Sequence, residues 1–339
     1  MVNKFNILIT AASRRVAMIR GFTTALRELG ISGAVHVTDT DKNSPGLRFC
    51  DKAHLVPLST SDGYIQAILE ICEKENINLV IPTIDEELPV FGANKEKFKA
   101  IGVIPLVSDE NIGDICNDKH LTASFFDEHA FPFVKTYLPH EIDFASIKYP
   151  LFIKPRVGRG SVSAYPVHTE TQLRFFLDYV KNPVVQDYLD GAEYTVDALI
   201  GLDGKVLSVV PRERLVIRSG VCDRGRTRKN MKLITLCRDI CEKLGVIGPV
   251  NLQCKVNRGK ISFFEINPRF SGAIQLTVAA GADFFKMIVK DAIGEGQEPA
   301  IGEFTDNLMM MSYEESIFEE NGHNVFSGGK ITGSVKKLS

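Results

Sequence analysis

The chain has 339 residues, 44% hydrophobic and 24% charged, a globular composition with room for two or three packed units. Lys and Arg total 40 against 42 Asp and Glu, so the net charge of -2 excludes the diffuse basic excess of a general nucleic-acid binder, and local basic clusters are read as sites. Seven cysteines without a paired CxxC spacing argue against a disulfide framework or a structural zinc; Cys237 and Cys241, one helical turn apart, read as core.

The opening "MVNKFNILIT" has too short an apolar run for a signal peptide, and no stretch reaches the length of a membrane span. The expectation is a cytoplasmic protein with no membrane or nucleic-acid partner. Up to residue 115, β-branched runs ("NILIT", "GAVHVTDTD", "KAHLVPLS", "NLVIPT", "VIPLVS") alternate with helical stretches such as "DGYIQAILEICEKENI", which predicts an α/β unit on a parallel sheet over 1–115. The first strand leads into "AASRRVAMIRGF" without a GxGxxG; Asp39 and Asp41 end the second strand, but the dinucleotide fingerprint is missing.

Residues 116–190 read as a small α+β unit: a helix, "NDKHLTASFFDEH", then "YPLFIKPRVGRGSVSAYPV" as strand, glycine loop, strand. Over 191–339 the strands are joined by tight turns, with Asp203-Gly204 a hairpin signal, so that sheet is antiparallel. The helix "KNMKLITLCRDICEKLG" precedes a last hairpin, "PVNLQCKVNRGKISFFEINP", and "SGAIQLTVAAGADFFKMIVKDAIG" is expected to be helical. The tail after about residue 297 gives a weak signal.

Three constellations carry chemistry. In the last hairpin, the turn "NRGK" is expected to be a three-residue loop with Gly259 left-handed; an odd-length loop keeps Asn251, Gln253, Glu265 and Asn267 on one face, whereas a two-residue loop would split them. Oxygen donors converging from two strands suit Mg²⁺, although a fraying strand end followed by turn chemistry at Asn267-Pro268 reads the same residues without a metal. In "FIKPRVGRGSVSA", Gly158 and Gly160 allow successive N–H groups to form an anion nest, Ser161 adds a hydroxyl, and Lys154 with Arg156 adds charge; an ordinary glycine-rich turn is the alternative. In "VVQDYLDGAEYTVDAL", backbone groups from Gln186 to Leu189 could meet a purine edge and Glu193 a ribose, or the segment is simply a charged edge strand.

Taken in order, these pieces resemble the ATP-grasp superfamily over nearly the whole chain, and most closely the ATP-grasp halves of the carbamoyl-phosphate synthase large chain and related single-copy proteins. The resemblance rests on "NDKHLTASFF", "FIKPRVGRGS", "VVQDYLDGAEYTVD" and the paired "NLQ" and "FFEINPR", of which E-x-N-P-R is the most specific. It implies an α/β and α+β architecture: a pre-ATP-grasp domain at 1–115, a lid subdomain at 116–190, and a metal-bearing antiparallel subdomain at 191–339. It implies that Lys119 and Lys154 contact the ATP phosphates, that Gly160 and Ser161 close over them, and that Gln186, Tyr188 and Glu193 hold adenine and ribose. Gln253, Glu265 and Asn267 become the Mg²⁺ ligands, and Arg269 steadies the transferring phosphoryl group. An acid often stands where this chain has Gln253, which lowers the site's negative charge.

The implied reaction is ATP-dependent activation of a carboxylate as an acyl phosphate that an amine or similar nucleophile then attacks. Within the arginine-rich "VVPRERLVIRSGVCDRGRT", Arg212 and Arg214 flank Glu213 inside an otherwise apolar run, so at least one is expected to face the site; Arg212 is the preferred substrate contact, and the later arginines read equally as a solvated loop. The rivals are a module that senses ATP without turnover and, from the N-terminal sheet, a nicotinamide-dependent oxidoreductase. A homodimer is the default oligomer. The sequence leaves the acid and the amine unspecified.

Overall fold

The computed structural model of the chain describes residues 4–158, 160, 162–320 and 323–326. The fully buried run "NILI" forms β1 (Asn6–Ile9), followed by α1 (Val16–Glu28), β2 (Val35–Asp39), β3 (Lys52–Leu55), α2 (Tyr64–Glu75), β4 (Ile77–Ile81), α3 (Leu88–Ala93), α4 (Lys95–Ala100) and β5 (Ile104–Pro105). All pairings in this sheet are parallel, in the order β3-β2-β1-β4-β5. Strands buried on both faces are what continuous apolar runs specify, and the order reverses at β1/β4, where open parallel sheets place their ligand crevice.

Helices α5 (Glu110–Asn117) and α6 (Lys119–Glu128) follow, then a four-stranded antiparallel sheet built from β6 (Thr136–Tyr137), β7 (Leu151–Pro155), β8 (Tyr165–Val167) and, beyond α7 (Glu170–Tyr179), β9 (Pro183–Asp187). Asp118 caps α6 by accepting from the N–H groups of His120 and Leu121, which fixes Lys119 at the helix start. The third sheet runs through β10 (Ala192–Ile200), β11 (Val206–Arg218) and β12 (Val221–Thr227), and α8 (Met231–Leu244) then buries Cys237 and Cys241 on its apolar face. The sheet is completed by β13 (Gly248–Asn257), β14 (Lys260–Asn267) and β15 (Met309–Met311), in the order β14-β13-β10-β11-β12-β15.

The expected single helix after residue 271 is two short ones, α9 (Ile274–Ala279) and α10 (Phe284–Ala292), because Gly281 takes φ +109 and ends the first. A small hairpin, β16 (Phe318–Glu320) with β17 (His323–Phe326), lies near the end of the described chain. Among the described residues no helix is long and apolar enough to cross a membrane.

The first and third sheets share one core. Phe22 of α1 meets Phe285 of α10 edge-on at 4.9 Å and Phe270 at 6.1 Å, and a Cβ on Gly21 would lie 2.3 Å from the Phe285 ring. The N-terminal sheet is thereby fixed against the end of β14.

The segment that crosses from the small sheet into β10 passes as closely as backbone allows. Gly191 has φ +109, and a Cβ there would stand 2.4 Å from the Val256 carbonyl oxygen; Gly204, φ +83, meets nothing within 4 Å. Both positions strain an alanine, but only one also collides. Gly191→Ala should therefore lose more than about 2 kcal/mol of stability in urea unfolding, against about 1 kcal/mol for Gly204→Ala. Equal losses would contradict the close approach.

Candidate active site

The hairpin of β13 and β14 is not turned by the expected three-residue loop. Asn257 pairs with Lys260 across Arg258-Gly259, both at positive φ (+47 and +80), the geometry of a type I′ turn. Alone, that loop would pair Gln253 with Phe264 and send Glu265 to the core side. Instead the register shifts between Gln253 and Cys254, so that Gln253 faces Glu265 and Asn251 faces Asn267. The extra residue is Phe264: a β-bulge restores the shared face that the turn would have broken, and puts Phe264 and Glu265 on the same cavity wall. Leu252 and Cys254 are fully buried on the opposite face.

A cavity of about 270 Å³ lies between the small sheet and this hairpin. Of the predicted site residues, Lys119, Lys154, Gly160, Gln186, Tyr188, Glu193, Gln253 and Glu265 all line it. Ser161 lies outside the described residues. Lys154 projects from β7 with its Nζ 5.3 Å from the centre of the Phe264 ring. Its desolvation pulls the ammonium down to about 8, which neighbouring Lys119 reinforces and Glu265 opposes. Among the described residues no carboxylate lies within ion-pair distance of Lys154. Lys119 donates from Nζ to the Gly158 carbonyl at 2.8 Å. Arg156, expected to add charge here, instead donates to Asp118 at 2.6 Å and does not line the cavity.

Gly158 and Gly160 both adopt positive φ (+144 and +68), and Gly160 packs against Gly220 at the β11–β12 turn so tightly that a Cβ on Gly220 would meet the Gly160 Cα at 3.1 Å. The far end of the cavity mixes apolar Phe152, Leu189 and Ile217 with the polar edge of β9. Gln186 is buried and donates to Thr136 Oγ1, whereas Tyr188 is 39% exposed with Lys255 Nζ 5.7 Å from its ring centre. Several backbone groups expected to be free are engaged: the Tyr188 N–H reaches Pro150, and the Leu189 carbonyl accepts from Lys255. Glu193 accepts from Arg214 Nη1 at 2.7 Å.

Glu265 also borders a second cavity of about 420 Å³ on the N-terminal-sheet side, into which Arg212, Arg214, Arg269 and Arg15 enter. Arg212 is 1% exposed, with Nε and Nη2 on Asp197 at 2.7 and 3.0 Å and Nη2 also on Ser271. Arg269 forms a bidentate pair with Asp85 at 2.7 Å for both bonds, and Asp85 with Glu265 holds its guanidinium above its ordinary range against desolvation. Asn267 does not reach the larger cavities; it faces a recess beside Asp85 and Lys119 and donates to Glu265 Oε1 at 3.0 Å. Sequence reasoning missed Phe264, Arg15 and Asp85. No motif marks them, since Asp85 meets its partner 184 residues away.

The residues present fit magnesium and a polyphosphate. Among the described residues no group of three or more His, Cys, Asp or Glu could hold a metal, so the donor set is one carboxylate, Glu265, flanked by the Gln253 and Asn267 amides, whose oxygens accept here from Arg214 and Arg269. That is the hard-oxygen, carboxylate-poor set of an ion shared with phosphate. The desolvated Lys154 ammonium supplies the matching demand for an anion.

Comparison with known proteins bears on the fold. Residues 7–107 match the family described as PylC-like, N-terminal domain, and residues 180–316 match ATP-grasp in the biosynthetic pathway with Ter operon. The carbamoyl phosphate synthase large chain of Methanocorpusculum labreanum is 25% identical over 302 residues, which is 80% of this chain but 28% of that protein. The chain thus spans under a third of that relative's length. Among solved structures, the biotin carboxylase–βγ-ATP complex from Campylobacter jejuni superposes with a TM-score of 0.73 at 16% identity, covering 90% of this chain and 74% of the other. The N5-carboxyaminoimidazole ribonucleotide synthetase from Thermotoga maritima gives 0.64 at 15% identity, covering 88% and 78%. With its parallel N-terminal sheet, its small sheet over the cavity and its bulged β13–β14 hairpin, this chain has the ATP-grasp fold and resembles in sequence the carbamoyl phosphate synthase large chain.

Proposed function

We propose that the protein is an ATP-dependent ligase that converts a carboxylate into an acyl phosphate for attack by an amine or similar nucleophile. The observation that carries this reading is the placement of Glu265 between two cavities, one with desolvated lysines and one with arginines. A nucleotide in the first and an acid in the second would meet at that carboxylate. The unit at 116–190 would then close over the phosphates, and the unit at 191–339 would carry the metal site and the acid-binding Arg212, Arg214 and Arg269, with Arg15 added by the unit at 1–115.

Lys119 and Lys154 would bind phosphate oxygens, with Gly160 over them, and Gln186, Tyr188 and Glu193 would hold the nucleoside. Glu265, Gln253 and Asn267 would hold magnesium, whose chemistry is neutralisation of phosphate charge during transfer. A carboxylate oxygen of the acid attacks the γ-phosphorus and ADP leaves with the bridging oxygen's electron pair. The amine then attacks the carbonyl carbon, phosphate departs, and the amine proton passes to solvent. Positioning and charge neutralisation account for this chemistry without a protein nucleophile. Arg269, clamped by Asp85, and Arg212, clamped by Asp197, have the rigidity to align the acid.

A nicotinamide enzyme is disfavoured, because the Asp39 carboxylate that would meet a ribose already accepts from the Ser13, Thr40 and Asp41 N–H groups and the Ser44 hydroxyl. A sensing module would leave the arginine cavity beside Glu265 without a purpose.

With MgATP and a mixture of acids and amines, the chain should release ADP, and Glu265→Gln should lower that rate by about 100-fold or more with the fold intact by circular dichroism. Unchanged release would refute the assignment. Lys154 titrates near 8, and only its ammonium attracts phosphate. MgATP affinity should therefore fall as the pH rises from about 7 to about 9, and Lys154→Arg should flatten the fall; a flat wild-type profile would contradict phosphate binding by Lys154.

A further inference from the structure

The arginine cavity has an unusual balance of partners. Arg212, Arg214 and Arg269 each rest on a carboxylate, Asp197, Glu193 and Asp85 respectively, and none of these three carboxylates lines the cavity. The guanidiniums form the wall while their counter-charges stand off it. Glu265 is the one carboxylate among the described lining residues, and it belongs to the nucleotide side. Two buried nitrogens, Arg212 Nη1 and Arg214 Nε, have no hydrogen-bond partner among the described residues. The Arg212 and Arg214 side chains are 1% and 5% exposed. Buried N–H donors of charged groups are ordinarily satisfied, so two orphans on adjacent alternate positions of β11 call for an anion.

We propose that the acid bound here carries a second anionic group, a carboxylate or a phosphate, gripped by Arg212 and Arg214 while its reacting carboxylate lies toward Glu265 and Arg269. The proposal deepens the ligase reading and rests on it for the identity of the reacting end. The grip itself rests only on the orphaned donors and the off-wall carboxylates. An α-amino acid with a free ammonium is a poor fit, since the one carboxylate among the described lining residues is Glu265, which the metal would take. Arg15, from the β1–α1 loop at the end of the parallel sheet, lines the same cavity.

The test is titration calorimetry of the whole chain, without nucleotide, using four probes of similar length: butyrate, γ-aminobutyrate, glutarate and γ-phosphonobutyrate. Glutarate or γ-phosphonobutyrate should bind about tenfold or more tightly than butyrate and γ-aminobutyrate, the increment of one extra charge-assisted contact. The stronger of the two identifies the second group. Arg214→Gln should erase the preference. Because removing the Arg212 guanidinium would strand Asp197, the second variant is Arg212→Lys, which keeps a cation on Asp197 but should also lose the preference. Equal binding of all four probes, tighter binding of γ-aminobutyrate, or a preference that survives both substitutions would overturn the proposal. MgATP titrated into the same chain separates the two readings. Dianion preference without nucleotide binding upholds the anion site and refutes the ligase, whereas nucleotide binding without dianion preference refutes this proposal alone.

Discussion

The bulge at Phe264 is the constraint on which the site depends. A type I′ turn is the tightest way to join β13 to β14, but by itself it would place Glu265 among Leu252 and Cys254 in the core. One extra residue in β14 shifts the pairing, so that Gln253 faces Glu265 and Asn251 faces Asn267 on the side opposite Leu252 and Cys254. The same shift gives the wall an aromatic ring beneath Lys154. Turn and bulge therefore have to be read together, because either alone predicts the wrong face.

The cations are divided by how each is compensated. Lys154 is desolvated without a carboxylate partner among the described residues, a state that favours a phosphate arriving with its own charge. The arginines of the neighbouring cavity are instead pre-paired on their outer edges, which locks their planes and leaves remaining N–H groups for a ligand of fixed geometry. Lysine as a point charge suits a triphosphate tail. Arginine as an oriented fork suits a planar carboxylate.

The sheets and most helices were legible because their signals are local: β-branched runs, helical spacing, Gly245 after α8 and the Asp203-Gly204 turn. The donors at Gln253, Glu265 and Asn267 were legible as a pattern, although the loop length that justified their shared face was wrong and the bulge that restores it leaves no mark in composition. Arg156 was misplaced because its partner, Asp118, caps a helix that precedes it in the chain. The clamp of Asp85 on Arg269 was out of reach for the same reason, since it exists only once the shared Phe22, Phe270 and Phe285 core brings two sheets together. The break at Gly281 was hidden by an alanine-rich stretch whose helical propensity continues past it.

The most direct test is a crystal structure grown with magnesium and a non-hydrolysable ATP analogue. The account predicts the triphosphate lying between the Lys154 ammonium and Glu265, with a metal ion on the Glu265 carboxylate. A nucleotide bound elsewhere, or a metal held away from Glu265, would contradict it.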